Sequence, residues 1–228
     1  MFGDLSNFKN LHAGKKCFVV GAGPSAVFLD FSSVHSYPVI CVNSSILLMP
    51  WKQDGDLSLR FWMSTDVLCQ HWSYFSECVL SGICNRIVKN SWKQYTSKWP
   101  EVMFYYYSPF NEKTGEGLLS NSSILSALDF AILMGCKNIY LLGVDHRMIQ
   151  GKSHFWQFWD KHKQPTRNGK PGNFYPDQRQ QKRIFELNMP LFEKLKEKAT
   201  KAESTIYNCS SLSEIKCFPL ISLEDAVS

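Results

Sequence analysis

Residues 19–25 are Val-Val-Gly-Ala-Gly-Pro-Ser, a sequence typical of a buried strand that turns sharply into the start of a helix. The apolar residues 17–20 predict the strand, and Gly21 and Gly23 permit backbone angles and close contacts that a Cβ atom would prevent. Backbone N–H groups at a helix N-terminus bind anions, so the turn predicts a phosphate site. The predicted contacts are Gly21, Ala22, Gly23, Pro24 and Ser25. The alternative is that the two glycines only form a tight turn.

Strand-like and helix-like segments alternate along most of the remaining chain. Short apolar or β-branched runs predict strands, and apolar residues at helical spacing predict the helices between them. The predicted strands are 16–20, 39–42, 59–63, 85–88, 102–107, 138–142 and 205–208. The predicted helices are 24–33, 67–80, 120–135 and a stretch after residue 183 that Pro190 kinks or restarts. Short connections of this kind predict an α/β, Rossmann-like, mostly parallel sheet with helices on both faces, in one domain spanning residues 1–228.

The alternation fails between residues 147 and 183, where a long polar segment contains Pro, Gly and several aromatic residues. Loops this long in compact domains are usually lids or disordered, so we predict a lid segment at 147–183. Its basic residues would attract an anionic ligand or form a solvated loop. They are residues 147, 152, 161, 163, 167, 170, 179, 182 and 183. The helix after the lid is predicted to bury a stripe of Ile184, Leu187, Leu191 and Leu195.

The composition is that of a folded domain. With 228 residues, 44% hydrophobic and 14% aromatic, the chain has the material for a core. No apolar run approaches the roughly 18 residues of a membrane span, and residues 1–14 lack the apolar centre of a signal peptide, so we predict a cytoplasmic protein. The formal charge of +5 does not by itself indicate nucleic acid. The eight cysteines include no C-x-x-C pair and predict buried free thiols rather than disulfides or a metal site.

Polar residues follow several predicted strands at their carboxyl ends, where open parallel sheets bind ligands. They offer amide, hydroxyl and carboxylate groups to a base or ribose. Beyond the glycine turn, the predicted nucleotide-binding residues are Asn43, Ser64, Thr65, Asp66, Ser122, Ser123, Gly143 and Asp145. Asp66 and Asp145 could hold a divalent metal, although contact with a ribose or stabilisation of a turn is the preferred interpretation. One of the two serines at 122–123 has the alternative role of capping the next helix.

Histidine and arginine residues in the lid segment are the candidate catalytic groups. His154 follows the strand end at residue 145, and a neutral imidazole near pH 7 suits the removal of a proton from a hydroxyl nucleophile. His146 and His162 are rivals for that role, and a structural role is open for all three. Arg147 would stabilise the charge of a leaving phosphate without a metal. The aromatic run 154–159 could stack on an acceptor sugar or base, or pack the lid onto the body.

Three segments resemble the bacterial lipooligosaccharide sialyltransferases and the broader group of proteins around them. They are Gly-Ala-Gly-Pro-Ser (21–25), Cys-Val-Asn (41–43) and Ala-Ile-Leu-Met-Gly-Cys-Lys-Asn-Ile-Tyr-Leu-Leu-Gly-Val-Asp (131–145), in the same order as in that family. Residues 207–210 resemble the family's closing strand. The broader group is similar to 6-hydroxymethylpterin pyrophosphokinases and to motility-associated flagellin glycosyltransferases.

The resemblance implies a Rossmann-like, metal-independent transferase that binds a CMP-activated sugar, with the Gly-Pro-Ser turn and Asn43 touching the nucleotide. Ser123 matches a serine at the family's nucleotide-contacting helix start, and residue 124 is isoleucine where the family has glycine. His154 stands where the family has a phosphate-binding tyrosine, and Arg147 stands at an upstream tyrosine position. The family's catalytic histidine has no counterpart between residues 173 and 183, and its acceptor-binding arginine has none just before residue 122.

Together these observations predict a glycosyltransferase that moves a sugar from a nucleotide-linked donor, with CMP favoured, to a glycan or other hydroxyl acceptor without a required cofactor. One alternative is an ATP-dependent pyrophosphokinase of the pterin type, in which Asp66 and Asp145 would carry Mg²⁺. Another is a non-catalytic protein that binds a nucleotide, or nucleic acid through the basic lid. A nucleic-acid acceptor, peripheral membrane association and the oligomeric state are left open by the sequence.

Overall fold

A parallel β-sheet forms the centre of the protein. The computed structural model describes residues 5–94, 104–106, 117–119, 122–171 and 178–228. The strands of the central sheet are β1 Lys16–Val20, β2 Val39–Val42, β3 Arg60–Ser64, β4 Asn85–Lys89, β5 Phe104–Tyr106, β6 Asn138–Leu142 and β9 Thr205–Asn208. Their order is β5-β4-β3-β2-β1-β6-β9, and every neighbouring pair is parallel. The α/β, Rossmann-like prediction is therefore confirmed, and the ends of the predicted strand at 102–107 lie outside the described residues.

Alternate strand residues face two separate hydrophobic layers. On β1, Cys17 and Val19 belong to the layer covered by the helices α2 (Ser123–Leu133) and α3 (Gln178–Lys201). Phe18 and Val20 belong to the opposite layer, which is covered by α1 (Ser73–Glu77), by α4 (Leu223–Val227) and by short 3₁₀ turns. Strands β1, β2, β3 and β6 are almost entirely buried on both faces, which explains why they are continuous apolar runs rather than alternating ones. Helices cover both faces, as predicted.

Two predicted helices are shorter than expected. Residues 24–28 form a 3₁₀ helix, Pro24–Phe28, and the chain is extended again at residue 29. The carboxylate of Asp30 accepts hydrogen bonds from the backbone N–H and hydroxyl of Ser32, a local turn that competes with helix continuation. The predicted helix at 67–80 is divided into a 3₁₀ turn at 67–71, α1 and a second 3₁₀ turn at 79–81.

The helix α3 buries only part of the predicted stripe, in which Leu195 is buried and Leu191 is half-buried. Phe192, Leu195 and Ala199 are buried against the sheet and α2, whereas Ile184 is 41% exposed and Leu187 is 64% exposed. The helix continues through Pro190 without a break. The prediction of Ile184 and Leu187 as core residues was wrong because a stripe drawn from leucine and isoleucine alone missed the aromatic Phe192.

Part of the predicted lid packs onto the body. Residues 155–158 form a 3₁₀ turn in which Phe155 and Trp156 are buried in the core, and the backbone N–H of Phe155 donates to the Ala22 carbonyl at 3.2 Å. A small antiparallel hairpin follows, formed by β7 (Thr166–Arg167) and β8 (Lys170–Pro171). Since α3 begins at Gln178, the last predicted lid residues belong to that helix. The lid prediction at 178–183 was therefore wrong.

All eight cysteines are free, which confirms the prediction of free thiols. Six of them are buried and two are half-buried, so their sulfur atoms act as small apolar groups. Within the described residues, no helix is both long enough and apolar enough to cross a membrane.

Candidate functional site

The backbone N–H groups of the glycine turn already have acceptors within the protein. Gly21 donates to the carbonyl of Leu142 and Gly23 to the carbonyl of Gly143, both at 2.8 Å. Ser25 donates to the Oδ2 atom of Asp145 at 2.7 Å. A phosphate that used these donors would have to displace partners on β6 and its following loop. The turn is thus closed by the neighbouring strand end, and a ligand there would need the chain to rearrange.

Asp145 occupies the position that an anion would take at this turn. Its side chain is 2% exposed, and its second oxygen accepts a hydrogen bond from the Ser210 hydroxyl at 3.0 Å. A Cβ atom added to Gly23 would lie 2.6 Å from this carboxylate, and one added to Gly21 would lie 2.5 Å from the Gly143 carbonyl. Close packing therefore accounts for both glycines, as the tight-turn alternative proposed. With both oxygens engaged, Asp145 is a structural carboxylate.

A small cleft that is open to solvent lies beyond the carboxyl ends of β2 and β3. It is lined by Asn43, Ser44, Asp66, Cys69, Trp72, Tyr74, His154 and Trp156. Three of the predicted site residues, Asn43, Asp66 and His154, are therefore brought together, although they come from three separate parts of the chain. The cleft combines polar groups at the strand ends with aromatic side chains, which is the usual composition of a small-molecule site.

Asn43 presents an amide donor to the cleft. Its backbone has the left-handed angle φ +54°, which asparagine tolerates better than most residues. Its carbonyl accepts a hydrogen bond from the Trp62 indole at 2.8 Å, and its Oδ1 atom accepts from the Cys69 thiol at 3.5 Å. The side-chain NH₂ group is left to donate to a ligand. The neighbouring hydroxyl of Ser44 is a second donor that has no hydrogen bond within the described residues.

The Cys69 thiol is a structural group rather than a nucleophile. Burial and, to a smaller extent, the Asp66 carboxylate raise the pKa of Cys69 to about 12. The Ser64 hydroxyl donates to its sulfur at 3.3 Å. Burial also raises the pKa of the adjacent Tyr74 well above its usual range. Because thiolates, not thiols, attack electrophiles, Cys69 is unreactive at neutral pH.

Aromatic rings form one wall of the cleft. The ring centroids of Trp72 and Trp156 are 5.6 Å apart, and Tyr74 stacks on Trp72 with an interplanar angle of 25°. The His154 imidazole lies 5.4 Å from the ring of Trp156. Flat apolar surfaces of this kind stack on nucleobases regardless of their identity. The sequence indicated stacking for the run 154–159 but missed Trp72 and Tyr74, whose signal was a pair of aromatic residues soon after the polar end of β3.

His154 is held in one orientation and is uncharged at neutral pH. The Ser153 hydroxyl lies 2.8 Å from its Nδ1 atom, and the Gln157 side chain accepts a hydrogen bond from its backbone N–H at 2.9 Å. Desolvation by burial lowers the pKa of His154 to about 4. A neutral imidazole accepts a proton, although a base with so low a pKa is weak until a ligand raises it.

The other two predicted catalytic residues lie outside the cleft lining. Arg147 is exposed and forms a 3.0 Å ion pair with Glu214. His162 is exposed in a short 3₁₀ turn, Lys161–Lys163. A further histidine of the same segment, His146, packs against Phe185 and Phe192 on α3, and burial lowers its pKa to about 4. Of the predicted catalytic residues His154, Arg147 and His162, only His154 lines the cleft.

The remaining predicted binding residues hold strand ends together. Ser122 caps α2, where its hydroxyl accepts from the backbone N–H of Leu125 at 3.5 Å, as the capping alternative proposed. The hydroxyl of Ser123 accepts from the backbone N–H of Thr65 at 2.9 Å and lies 3.0 Å from its hydroxyl. The Ser64 hydroxyl is hydrogen-bonded to the backbone of Asp66. These contacts fix the chain around the cleft without lining it.

Comparisons with known proteins identify no relative. A scan against protein-family models finds no match, and a search of curated proteins finds no similar sequence. Within the ranges that the structure describes, no group of three or more His, Cys, Asp or Glu residues is arranged to hold a metal ion.

Proposed function

We propose that this protein is a nucleotide-sugar-dependent glycosyltransferase whose donor nucleoside lies in the cleft over β2 and β3. The observation that carries the proposal is the combination of the Asn43 amide and Ser44 hydroxyl with the half-buried Trp72 ring, which Trp156 supports from the core side. A base needs hydrogen-bonding groups at its edge and a flat surface at its face, and the cleft supplies both. The resemblance to the lipooligosaccharide sialyltransferases supports a CMP-linked donor.

In the proposed reaction, an acceptor hydroxyl oxygen bonds to the anomeric carbon of the donor sugar while the bond from that carbon to the phosphate oxygen breaks. The nucleotide leaves with the bonding electrons, and His154 takes the hydroxyl proton. The negative phosphate of a bound donor would raise the low pKa of His154 and make it a stronger base. Asp66 is exposed at the cleft edge, and its carboxylate is available to accept a hydrogen bond from a hydroxyl of the ribose or sugar.

The pyrophosphokinase alternative has less support, because Asp145 is buried and both its oxygens are already engaged. It could not join Asp66 in holding Mg²⁺ without breaking those bonds. The non-catalytic alternative predicts binding of a nucleotide, or of nucleic acid through the basic lid, without turnover, so a measurement of turnover distinguishes it.

The first experiment measures the thermal stability of the protein with CMP, UDP and ATP, each with and without Mg²⁺. A ligand at 100 times its Kd stabilises the folded state by about 2.7 kcal/mol, which corresponds to about 5–10 °C in Tm for a chain of this size. We expect metal-independent stabilisation by CMP or UDP. Stabilisation by ATP only in the presence of Mg²⁺ would instead favour the pyrophosphokinase, and stabilisation by none of the three would overturn the proposed site.

Site variants then assign the effect to the cleft. Trp72→Leu should abolish nucleotide stabilisation, whereas Trp159→Leu should retain it, because Trp159 packs on Phe155 and does not line the cleft. His154→Ala should retain nucleotide binding and lose sugar transfer or donor hydrolysis. If wild-type protein binds nucleotides but hydrolyses no nucleotide sugar and transfers none to any hydroxyl acceptor, the non-catalytic alternative holds.

A further inference from the structure

The β7–β8 hairpin is attached to the wall of the cleft by backbone hydrogen bonds. Arg167 forms an isolated antiparallel bridge with Trp72, which lines the cleft. The N–H of Asn168 donates to the His71 carbonyl at 2.9 Å, and the N–H of Thr166 donates to the Ser73 hydroxyl at 3.2 Å. Three successive residues of the hairpin are thus fixed against three successive residues of the segment after β3. This arrangement holds Arg167 beside the cleft.

Arg167 carries a positive charge that has no carboxylate partner in the described part of the chain. Three other cations of the same segment are engaged: Arg147 pairs with Glu214, Lys163 pairs with Asp160 at 3.4 Å, and Lys152 lies 3.9 Å above the Phe158 ring. Lys161 and Lys170 are exposed to solvent. Arg167 is half-buried, so its charge is only partly solvated. A charged group in such a position is stabilised when an anion binds it.

The charge of Arg167 reaches the cleft. Its electrostatic effect on the lining residue Cys69 partly offsets the rise that burial causes in the pKa of that thiol. The Asp66 carboxylate raises the pKa of Cys69. It accepts a hydrogen bond from the backbone N–H of Leu68 and forms no ion pair with Arg167 in the described part of the chain. The cleft therefore has a carboxylate at its edge, suited to hydroxyl groups, and Arg167 beside its wall residue Trp72, with a guanidinium suited to an anion.

We infer that Arg167, held against Trp72 by the hairpin, binds the phosphate of a nucleotide whose base occupies the cleft. The inference rests on the proposed function, and it supplies the anion-binding group that the glycine turn lacks while Asp145 fills it. A guanidinium donates two parallel hydrogen bonds to phosphate oxygens, a geometry that lysine cannot reproduce. The ligand class is a nucleoside phosphate, with the phosphate near the segment that follows β3 rather than at the end of β1.

The test compares phosphorylated and unphosphorylated ligands by quenching of tryptophan fluorescence. CMP is measured against cytidine, and UMP against uridine, with wild-type protein, Arg167→Gln, Arg167→Lys and the control Lys163→Gln. Charge-assisted hydrogen bonds contribute enough that wild-type protein should bind the phosphorylated form about 10- to 100-fold more tightly. Arg167→Gln should reduce this ratio to near one and leave the Kd of the nucleoside unchanged. Arg167→Lys should fall between them, and Lys163→Gln should match wild type.

The outcomes separate the inference from the proposed function. If wild-type protein binds neither nucleosides nor nucleotides, the proposed function fails, and the inference fails with it. If nucleotides bind in the cleft but Arg167→Gln keeps the preference for the phosphorylated form, or wild-type protein shows no such preference, only the inference is overturned. Loss of nucleoside binding in Arg167→Gln, together with a lowered Tm, would assign Arg167 to the structure of the wall and also overturn the inference.

Discussion

Removal of the Asp145 carboxylate should destabilise the protein strongly while leaving ligand binding in the cleft intact. Asp145 accepts hydrogen bonds from the buried Ser25 N–H at 2.7 Å and from the Ser210 hydroxyl at 3.0 Å. A hydrogen bond to a charged group contributes about 1.5–3 kcal/mol, so Asp145→Ala should lower the free energy of unfolding by about 3–5 kcal/mol. That is a large part of the 5–15 kcal/mol typical of a folded domain.

The assay is urea unfolding followed by circular dichroism, with Asp54→Ala as a control, since Asp54 is exposed and forms no hydrogen bond within the described residues. If Asp145→Ala does not fold, Asp145→Asn and Ser210→Ala provide smaller steps of about 1–3 kcal/mol each. The nucleotide Kd of each folded variant is measured in parallel. A stability loss under 1 kcal/mol, or a loss of nucleotide affinity without a loss of stability, would show that Asp145 belongs to the ligand site and refute the reasoning.

Three further predictions concern groups away from the turn. Because burial lowers the pKa of His146 to about 4, the unfolded chain binds a proton at this residue below pH 6.5 and the folded chain does so only near pH 4. The free energy of unfolding should therefore fall as the pH is lowered from 6.5 to 4. In urea titrations at several pH values, His146→Gln should remove part of that slope and leave the part due to His154, whose pKa burial also lowers to about 4. Lys198→Met should lower the free energy of unfolding by about 3–5 kcal/mol in the same assay, because it leaves the fully buried Asp129 carboxylate without its ion-pair partner. Asp129→Leu added to this variant should recover part of the loss. Phe155→Ala should lower the free energy of unfolding by about 3–5 kcal/mol and make residues 154–159 sensitive to limited proteolysis. If the variant resists cleavage as well as the wild-type protein does, the packed position of this segment is contradicted.

The sheet was predictable from the sequence because its central strands are buried on both faces. Runs such as Lys16–Val20 and Asn138–Leu142 are short, apolar and bounded by turn residues, and these features depend on local sequence alone. The helices were less predictable where tertiary contacts determine which face is buried. The stripe of α3 that faces the sheet includes Phe192, while the leucine at 187 is exposed, and nothing in helical spacing distinguishes the two.

The candidate site was predicted only in part, for a geometric reason. Strand ends indicated Asn43 and Asp66, and the loop after β6 indicated His154, because parallel strands end at one edge of the sheet. Arg147 leaves the same strand end as His154 yet pairs with Glu214, a partner 67 residues away that sequence order does not reveal. The aromatic wall was missed at Trp72 because tryptophan after a strand is equally consistent with core packing.

The position of the cleft depends on Asp145, which fills the crevice at the point where the strand order of the sheet reverses. In open parallel sheets, ligands favour the crevice where the strand order reverses, which here lies between β1 and β6. Val20 and Leu142 are register partners, so the glycine turn and the loop ending at Asp145 meet directly beyond them. Asp145 satisfies the turn, and the segment containing Phe155 covers it. For a ligand in the space over β2 and β3, the inferred cation is therefore Arg167 on the hairpin that pairs with the segment after β3, because the protein's own carboxylate already occupies the sheet's usual anion site.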